Sequence, residues 1–137
     1  MKFKYTAKWI DGYGISYTPR VPIIFTNPKN KAEMPIMSLI DSGSSDTILD
    51  PQVGEILGID ITSGEKIVYG GSGGNFIGYL HPLILRVAGG RHSYDIECAF
   101  ASLGGDVMAL LGQRGFFEHH KVTFERYINE FEVILKK

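Results

Sequence analysis

The apolar run Pro35-Ile36-Met37-Ser38-Leu39-Ile40 leads directly into Asp41-Ser42-Gly43, placing an acid at the end of a segment built for burial. A carboxylate in that position is costly to ionise unless its loop supplies hydrogen bonds or a second acid shares its proton. The loop carries the means for the first: Ser42, Ser44, Ser45 and Thr47 offer hydroxyls that can orient a carboxylate, and Gly43 permits a tight turn. An acid held by its loop in this way is what proton-transfer chemistry requires. Asp46, in the same loop, reads as an acid that contacts substrate, as a solvated loop acid, or as a cap for Thr47.

Other reactive side chains read more plainly. His119 and His120 are adjacent near a helical end, where neighbours point different ways, so they are expected as an exposed pair and not as metal ligands. His81 and His92 lack partners at ligand spacing and are expected at the surface. Cys98 alternates with Tyr94, Ile96 and Phe100, which marks a core position, and nothing nearby supplies the positive charge that a thiolate nucleophile needs. Gly70-Gly71-Ser72-Gly73-Gly74 is not followed by Lys-Ser/Thr or by a helical pattern, so it does not read as a phosphate-binding loop.

The elements that position these residues are mostly strands. Phe3, Tyr5, Ala7 and Trp9 alternate with Lys2, Lys4, Thr6 and Lys8. Asp11-Gly12 marks a turn, and a β-rich run from Ile15 to Thr26 follows, its Pro19 and Pro22 suggesting an edge or a bend. Asn27-Pro28-Lys29-Asn30 is a second turn, before the run that ends at Asp41. Asp50-Pro51 reads as a cap and first helical residue, with Gly58 as the stop. From Lys66 to Val87 two β-like runs flank the glycine-rich tip, which makes a hairpin. Tyr94 to Phe100 and Val107 to Leu111 are further strand-like runs, and the residues from Gly112 to His119 have room for one or two helical turns. Two strands around Asn129 close the chain, so the expectation is an all-β barrel or sandwich with one or two short helices.

Composition sets the outer bounds. At 137 residues the expectation is a single domain spanning 1–137, able to bury roughly two-thirds of its unfolded surface. Hydrophobic residues at 44% and charged residues at 21% exclude wholesale disorder. A net charge of −1 with no basic stripe gives no footprint for nucleic acid or an anionic membrane. With Cys98 as the only cysteine, an intramolecular disulfide and a Cys-rich zinc site are both excluded. The alternating N-terminus does not read as a signal peptide, and no apolar run reaches the about 20 residues of a membrane span. These features point to a cytoplasmic protein.

Leu39-Ile40-Asp41-Ser42-Gly43-Ser44-Ser45-Asp46-Thr47-Ile48-Leu49 resembles the active-site strand and loop of the retropepsins, the retroviral-type branch of the pepsin-related aspartic proteases. The tip at Gly70 to Gly74 resembles their flap, and Leu110-Leu111-Gly112 resembles the hydrophobic-hydrophobic-Gly element before their short C-terminal helix. All three stand in the order that family requires. The resemblance implies a closed β-barrel with a flap hairpin, and an endopeptidase with no cofactor. Because the chain has a single Asp-Ser-Gly triplet, it also implies a homodimer in which each subunit supplies one Asp41.

On that reading Asp41, Ser42 and Gly43 are catalytic, and Ser44, Ser45, Asp46, Gly71, Ser72, Gly73 and Gly74 meet an extended peptide. Thr47, Leu111 and Gly112 support the site. Many retroviral proteases have an acid in place of Ser45 and an arginine in place of Gln113, and the two pair; here both are absent. That coupled absence motivates an alternative, a retropepsin-like module that dimerises or binds peptide without cutting it.

Overall fold

Burial along Arg20–Thr26 alternates residue by residue, with Val21, Ile23 and Phe25 fully enclosed and Pro22, Ile24 and Thr26 half-buried. This is the signature of a strand that packs one face on a core. A computed structural model, which describes residues 1–70 and 74–136, carries that pattern through most of the molecule. Its strands are β1 (Lys2–Lys4), β2 (Thr6–Ile10), β3 (Gly14–Thr18), β4 (Arg20–Thr26), β5 (Glu33–Ile40) and β6 (Ile48–Leu49). They continue with β7 (Glu65–Tyr69), β8 (Phe76–Val87), β9 (Ser93–Phe100), β10 (Ala109–Leu111), β11 (His120–Glu125) and β12 (Glu130–Leu135). One α-helix, α1 (Pro51–Ile56), and two single 3-10 turns, Ile61–Ser63 and Arg126–Ile128, complete the described elements.

Six strands close into a barrel in the order β4-β5-β10-β6-β9-β8, with β8 returning to pair with β4. The chain thus has an all-β, retropepsin-like architecture. β8 is long enough to serve twice: Phe76 to Leu80 pair with β7 as a hairpin, while its later residues pair with β9 and β4. Inside the barrel Val21, Ile23, Phe25, Leu83, Leu85, Val87, Cys98, Phe100, Leu111 and Phe116 form one core. A second sheet, β1-β12-β11, adds Phe131 and Val133 to it.

Two parallel pairings matter most for the site. β5 runs alongside β10 with Leu39 opposite Leu110 and Ile40 opposite Leu111, so the chain leaves both strands side by side, at Asp41 and at Gly112. β6 runs alongside β9 in the same sense. Residues far apart in sequence are therefore brought to one end of the barrel by backbone pairing.

The helix starts and stops where its capping chemistry places it. The Asp50 carboxylate accepts from the Gln52 N–H at 3.0 Å, Pro51 opens the first turn, and Gly58 turns the chain away at φ +73°. Asn27 and Asn30, from the turn before β5, both donate to the Leu57 carbonyl at 2.9 and 3.0 Å and close the helix's other end.

Four expectations change. The N-terminal run is not one strand: it breaks at Tyr5, so Phe3 and Tyr5 pack on the Phe131 ring while Ala7 and Trp9 are exposed. Alternation marks a face but not whether anything covers it, and β2 pairs only with β3. Pro19 lies between β3 and β4, where its carbonyl accepts from the Ile40 N–H at 3.0 Å, and Pro22 lies within β4, opposite Met37, just outside the stretch where β4 meets β8. The residues after Gly112 form turns and no helix. Arg114 is held in a parallel bridge to Asp46, and Gly115 at φ +96° is left-handed, so a helical run cannot begin there. Finally, His120 is 5% exposed and stacks on Phe116 at 4.5 Å, while His119 stacks on Tyr94, so the two are not an exposed pair.

Candidate active site

The acid loop is fastened from both of its ends. The Asp41 N–H donates to the Leu111 carbonyl at 2.9 Å, continuing the β5–β10 pairing by one step, and the Ser44 N–H donates to the Asp41 carbonyl at 3.1 Å, closing the turn. Within it the Gly43 N–H donates to Asp41 Oδ1 at 2.9 Å. A Cβ on Gly43 would stand 3.2 Å from that same oxygen, so glycine gives the carboxylate its room. Among the described residues this is the one hydrogen bond to the Asp41 carboxylate, and Oδ2 has none. Asp41 is half-buried, with Ser42 and Gly43 exposed.

The second loop locks the first in place. Gln113 and Arg114 donate backbone N–H groups to the Ser44 and Ser45 carbonyls at 2.8 and 3.0 Å. The Gln113 side chain donates to the Ser42 carbonyl at 2.7 Å, and Ser44 Oγ donates to the Asp46 carbonyl at 2.7 Å. Thr47, fully buried, donates Oγ1 to the Arg114 carbonyl at 2.8 Å and accepts the Gly112 N–H at 3.2 Å. The loops approach so closely that a Cβ on Gly112 would lie 2.1 Å from the Asp46 carbonyl oxygen. Thr47, Leu111 and Gly112 thus brace Asp41 from behind.

Asp46 is neither a solvated acid nor one with an oxygen to spare. It is 5% exposed; Oδ1 accepts from Arg114 Nε at 2.6 Å and Oδ2 from the Tyr69 hydroxyl at 2.7 Å. Both oxygens are thus engaged within the chain, as the burial of a carboxylate requires. The Arg114 guanidinium is held more firmly charged by the Asp46 hydrogen bond, and it also reaches Glu97 at 3.3 Å. Burial first, and the Asp46 hydrogen bond second, push the Tyr69 phenol well above its usual range, so it remains a donor.

An acid–arginine pair therefore does brace these loops, one residue further along each segment than Ser45 and Gln113. Arg114 and Tyr69 carry no motif of their own. The available signal was Asp46 itself, which precedes the apolar Thr47-Ile48-Leu49 and so needed a cation once buried.

Of the expected peptide-contacting residues, Ser44 and Ser45 belong to the braced loop, and Gly74 is exposed at φ +104°. Gly71, Ser72 and Gly73 lie outside the described residues. Cys98 is fully buried and its thiol is pushed up by burial, in keeping with a core position. His81 is half-buried, with Nε2 2.7 Å from the Ile61 carbonyl, while His92 is exposed. Among the described residues no three His, Cys, Asp or Glu side chains gather in a way that could hold a metal. No helix among them is long and apolar enough to cross a membrane.

The family model described as aspartyl protease matches residues 30–114, more than half of the chain. No curated protein matches the sequence. Among solved structures, a retropepsin-like aspartic protease from Rickettsia conorii is 16% identical, covering 96% of this chain and 99% of its own, with a TM-score of 0.61. The EIAV protease complexed with the inhibitor HBY-793 is 20% identical, covering 70% of this chain and 82% of its own, with a TM-score of 0.52. At such identities these two speak for the fold alone. The family match itself takes in the acid loop, the hairpin and the Gly112 brace, and the chain belongs to the aspartyl proteases, with the retropepsin-like fold.

Proposed function

We propose that this chain is an aspartic endopeptidase working as a two-fold dimer, in which the two Asp41 carboxylates, one from each subunit, share a proton and hold a water between them. The observation that carries it is the state of Asp41: one oxygen fixed by Gly43, the other without a hydrogen bond among the described residues, on a loop that is rigid behind and exposed in front. An acid so held is prepared to meet something outside its own subunit. A two-fold axis beside the loop brings it to its own copy.

In the reaction the ionised carboxylate takes a proton from the water as its oxygen attacks the scissile carbonyl carbon. The protonated one hydrogen-bonds the carbonyl oxygen, as is known of aspartic proteases. Collapse of the tetrahedral adduct breaks the C–N bond, with the proton passing to the leaving amine. Ser42 is exposed, and its hydroxyl has no partner among the described residues, which leaves it available to bond across the dimer. The hairpin β7–β8 then receives an extended peptide by strand-like pairing. Among the described residues its exposed Phe76, which stacks on Tyr69 on the face turned to the acid loop, offers that peptide an apolar contact.

The test is mass spectrometry of a peptide library incubated with the wild-type chain and with Asp41→Asn, together with specific activity over a dilution series. Cleavage products that disappear in the variant, by a factor of about 10² or more, and activity per subunit that falls as the dimer dissociates are expected. Full cleavage by Asp41→Asn, or undiminished activity from a strict monomer, refutes the reading.

A further inference from the structure

Tyr69 is the last residue of β7, the hairpin's first strand, and its hydroxyl crosses to Asp46 in the acid loop at 2.7 Å. The contact is built from several sides. The ring stacks on Phe76, its cross-strand neighbour, at 4.9 Å, and packs on the buried cluster of Ile48, Ala99 and Ala101. Gly78, buried in β8, makes room for it, since a Cβ there would come within 3.1 Å of the Tyr69 ring. The acceptor is fixed as well, because Asp46 is held by Arg114, whose backbone is bonded to the same loop. A phenylalanine would satisfy the stacking and the packing, so the hydroxyl answers to Asp46 alone.

We propose that Tyr69 is a positioning residue: through its hydroxyl bond to Asp46 it ties the hairpin to the acid loop and fixes where an extended peptide must lie relative to Asp41. The consequence for catalysis rests on the endopeptidase reading above. The tether itself does not. Without it the hairpin samples other positions, and part of the binding energy of the peptide goes into restoring the productive one. The loss falls on KM and leaves the chemical step in place.

The experiment compares the wild-type full-length chain with Tyr69→Phe and Tyr69→Leu, by amide hydrogen exchange and by steady-state kinetics on a peptide that the wild type cleaves. For Tyr69→Phe, exchange in Glu65–Tyr69 and in the paired part of β8 rises about tenfold while β5 and β9 are unchanged, and KM rises about 5- to 10-fold with kcat within about twofold. Tyr69→Leu, which also removes the ring, exceeds both effects. Exchange and KM unchanged in Tyr69→Phe overturn the proposal. So does a uniform rise of exchange through the barrel, which would make the hydroxyl a general stabiliser. If the wild type cleaves nothing, the endopeptidase reading fails and the exchange arm alone decides the tether.

Discussion

Among the described glycines Gly112 leaves the least room for a side chain, and substituting it by alanine puts the bracing of the acid loop to a direct test. The added Cβ would stand 2.1 Å from the Asp46 carbonyl oxygen, 2.6 Å from its carbon and 2.7 Å from the Ser44 carbonyl oxygen. All three are backbone atoms, so no side-chain rotation relieves the contact, and one loop must retreat by about 1 Å. That retreat breaks the bonds from Gln113 and Arg114 to the Ser44 and Ser45 carbonyls and the one from Gly112 to Thr47. Overpacking costs about 1–3 kcal/mol and each of the three lost bonds about 1 kcal/mol, giving about 4–6 kcal/mol for Gly112→Ala. For a domain of this size that corresponds to a melting point lower by about 12–24 °C.

Gly43→Ala supplies the contrast. Its Cβ meets only a carboxylate oxygen, at 3.2 Å, and that oxygen can rotate away. The melting point should move by no more than about 3 °C, while the Asp41 carboxylate turns and cleavage falls. Thermal unfolding followed by circular dichroism measures both. A Gly112→Ala protein that melts within about 3 °C of wild type, or a Gly43→Ala protein that is equally damaged, would show that the close approach of the two loops is not what holds the acid in place.

Two further substitutions probe the surroundings. Thr47→Val keeps the shape of a fully buried side chain but leaves the Gly112 N–H without its acceptor; denaturant unfolding should show a loss of about 1–3 kcal/mol, and no loss would mean that the hydroxyl is dispensable. His120 is buried, its Nδ1 donates to the Phe116 carbonyl at 2.8 Å, and Nε2 has no partner among the described residues. Burial, chiefly, lowers its pKa below the usual 6.5, so the unfolded chain takes up a proton that the folded one resists. Its contribution is therefore complete above pH 6.5 and is lost as the pH falls through the folded-state value. His120→Phe, which keeps the stack on Phe116, should flatten the decline in unfolding free energy between about pH 7 and 5. An unchanged slope would assign that decline to other groups.

Much of this molecule is written locally. The alternation of β4 and β9, the cap at Asp50, the stop at Gly58 and the turns at Asn27 and Asn129 each follow from a few adjacent residues, and all of them stand where local chemistry puts them. The acid loop was legible for the same reason: a run of Ile, Met and Leu that ends in Asp-Ser-Gly announces a strand and its turn, although β5 buries only Ile36, Ser38 and Ile40 and leaves Pro35 and Met37 exposed. What went astray depended on partners distant in sequence. Trp9 and Phe3 share one alternating pattern, yet only Phe3 finds a ring to pack on. His120 looked like a surface residue until Phe116 and Tyr94 enclosed it.

The sequence by itself determined that the chain is all-β, that Asp41 ends a strand, and that a glycine-rich hairpin and a Leu-Leu-Gly segment follow it, because hydrophobic period, turn chemistry and capping act over a few residues. Only the tertiary structure decided that β5 and β10 run parallel, so that Gly112 presses on the acid loop, and that Asp46 is an internal anchor shared by Arg114 and Tyr69. Asp46 lies 68 residues from one of those partners and 23 from the other. Which charge meets which hydroxyl across such spans is fixed by how a barrel closes, and strand registers settle that only once all of them are satisfied together.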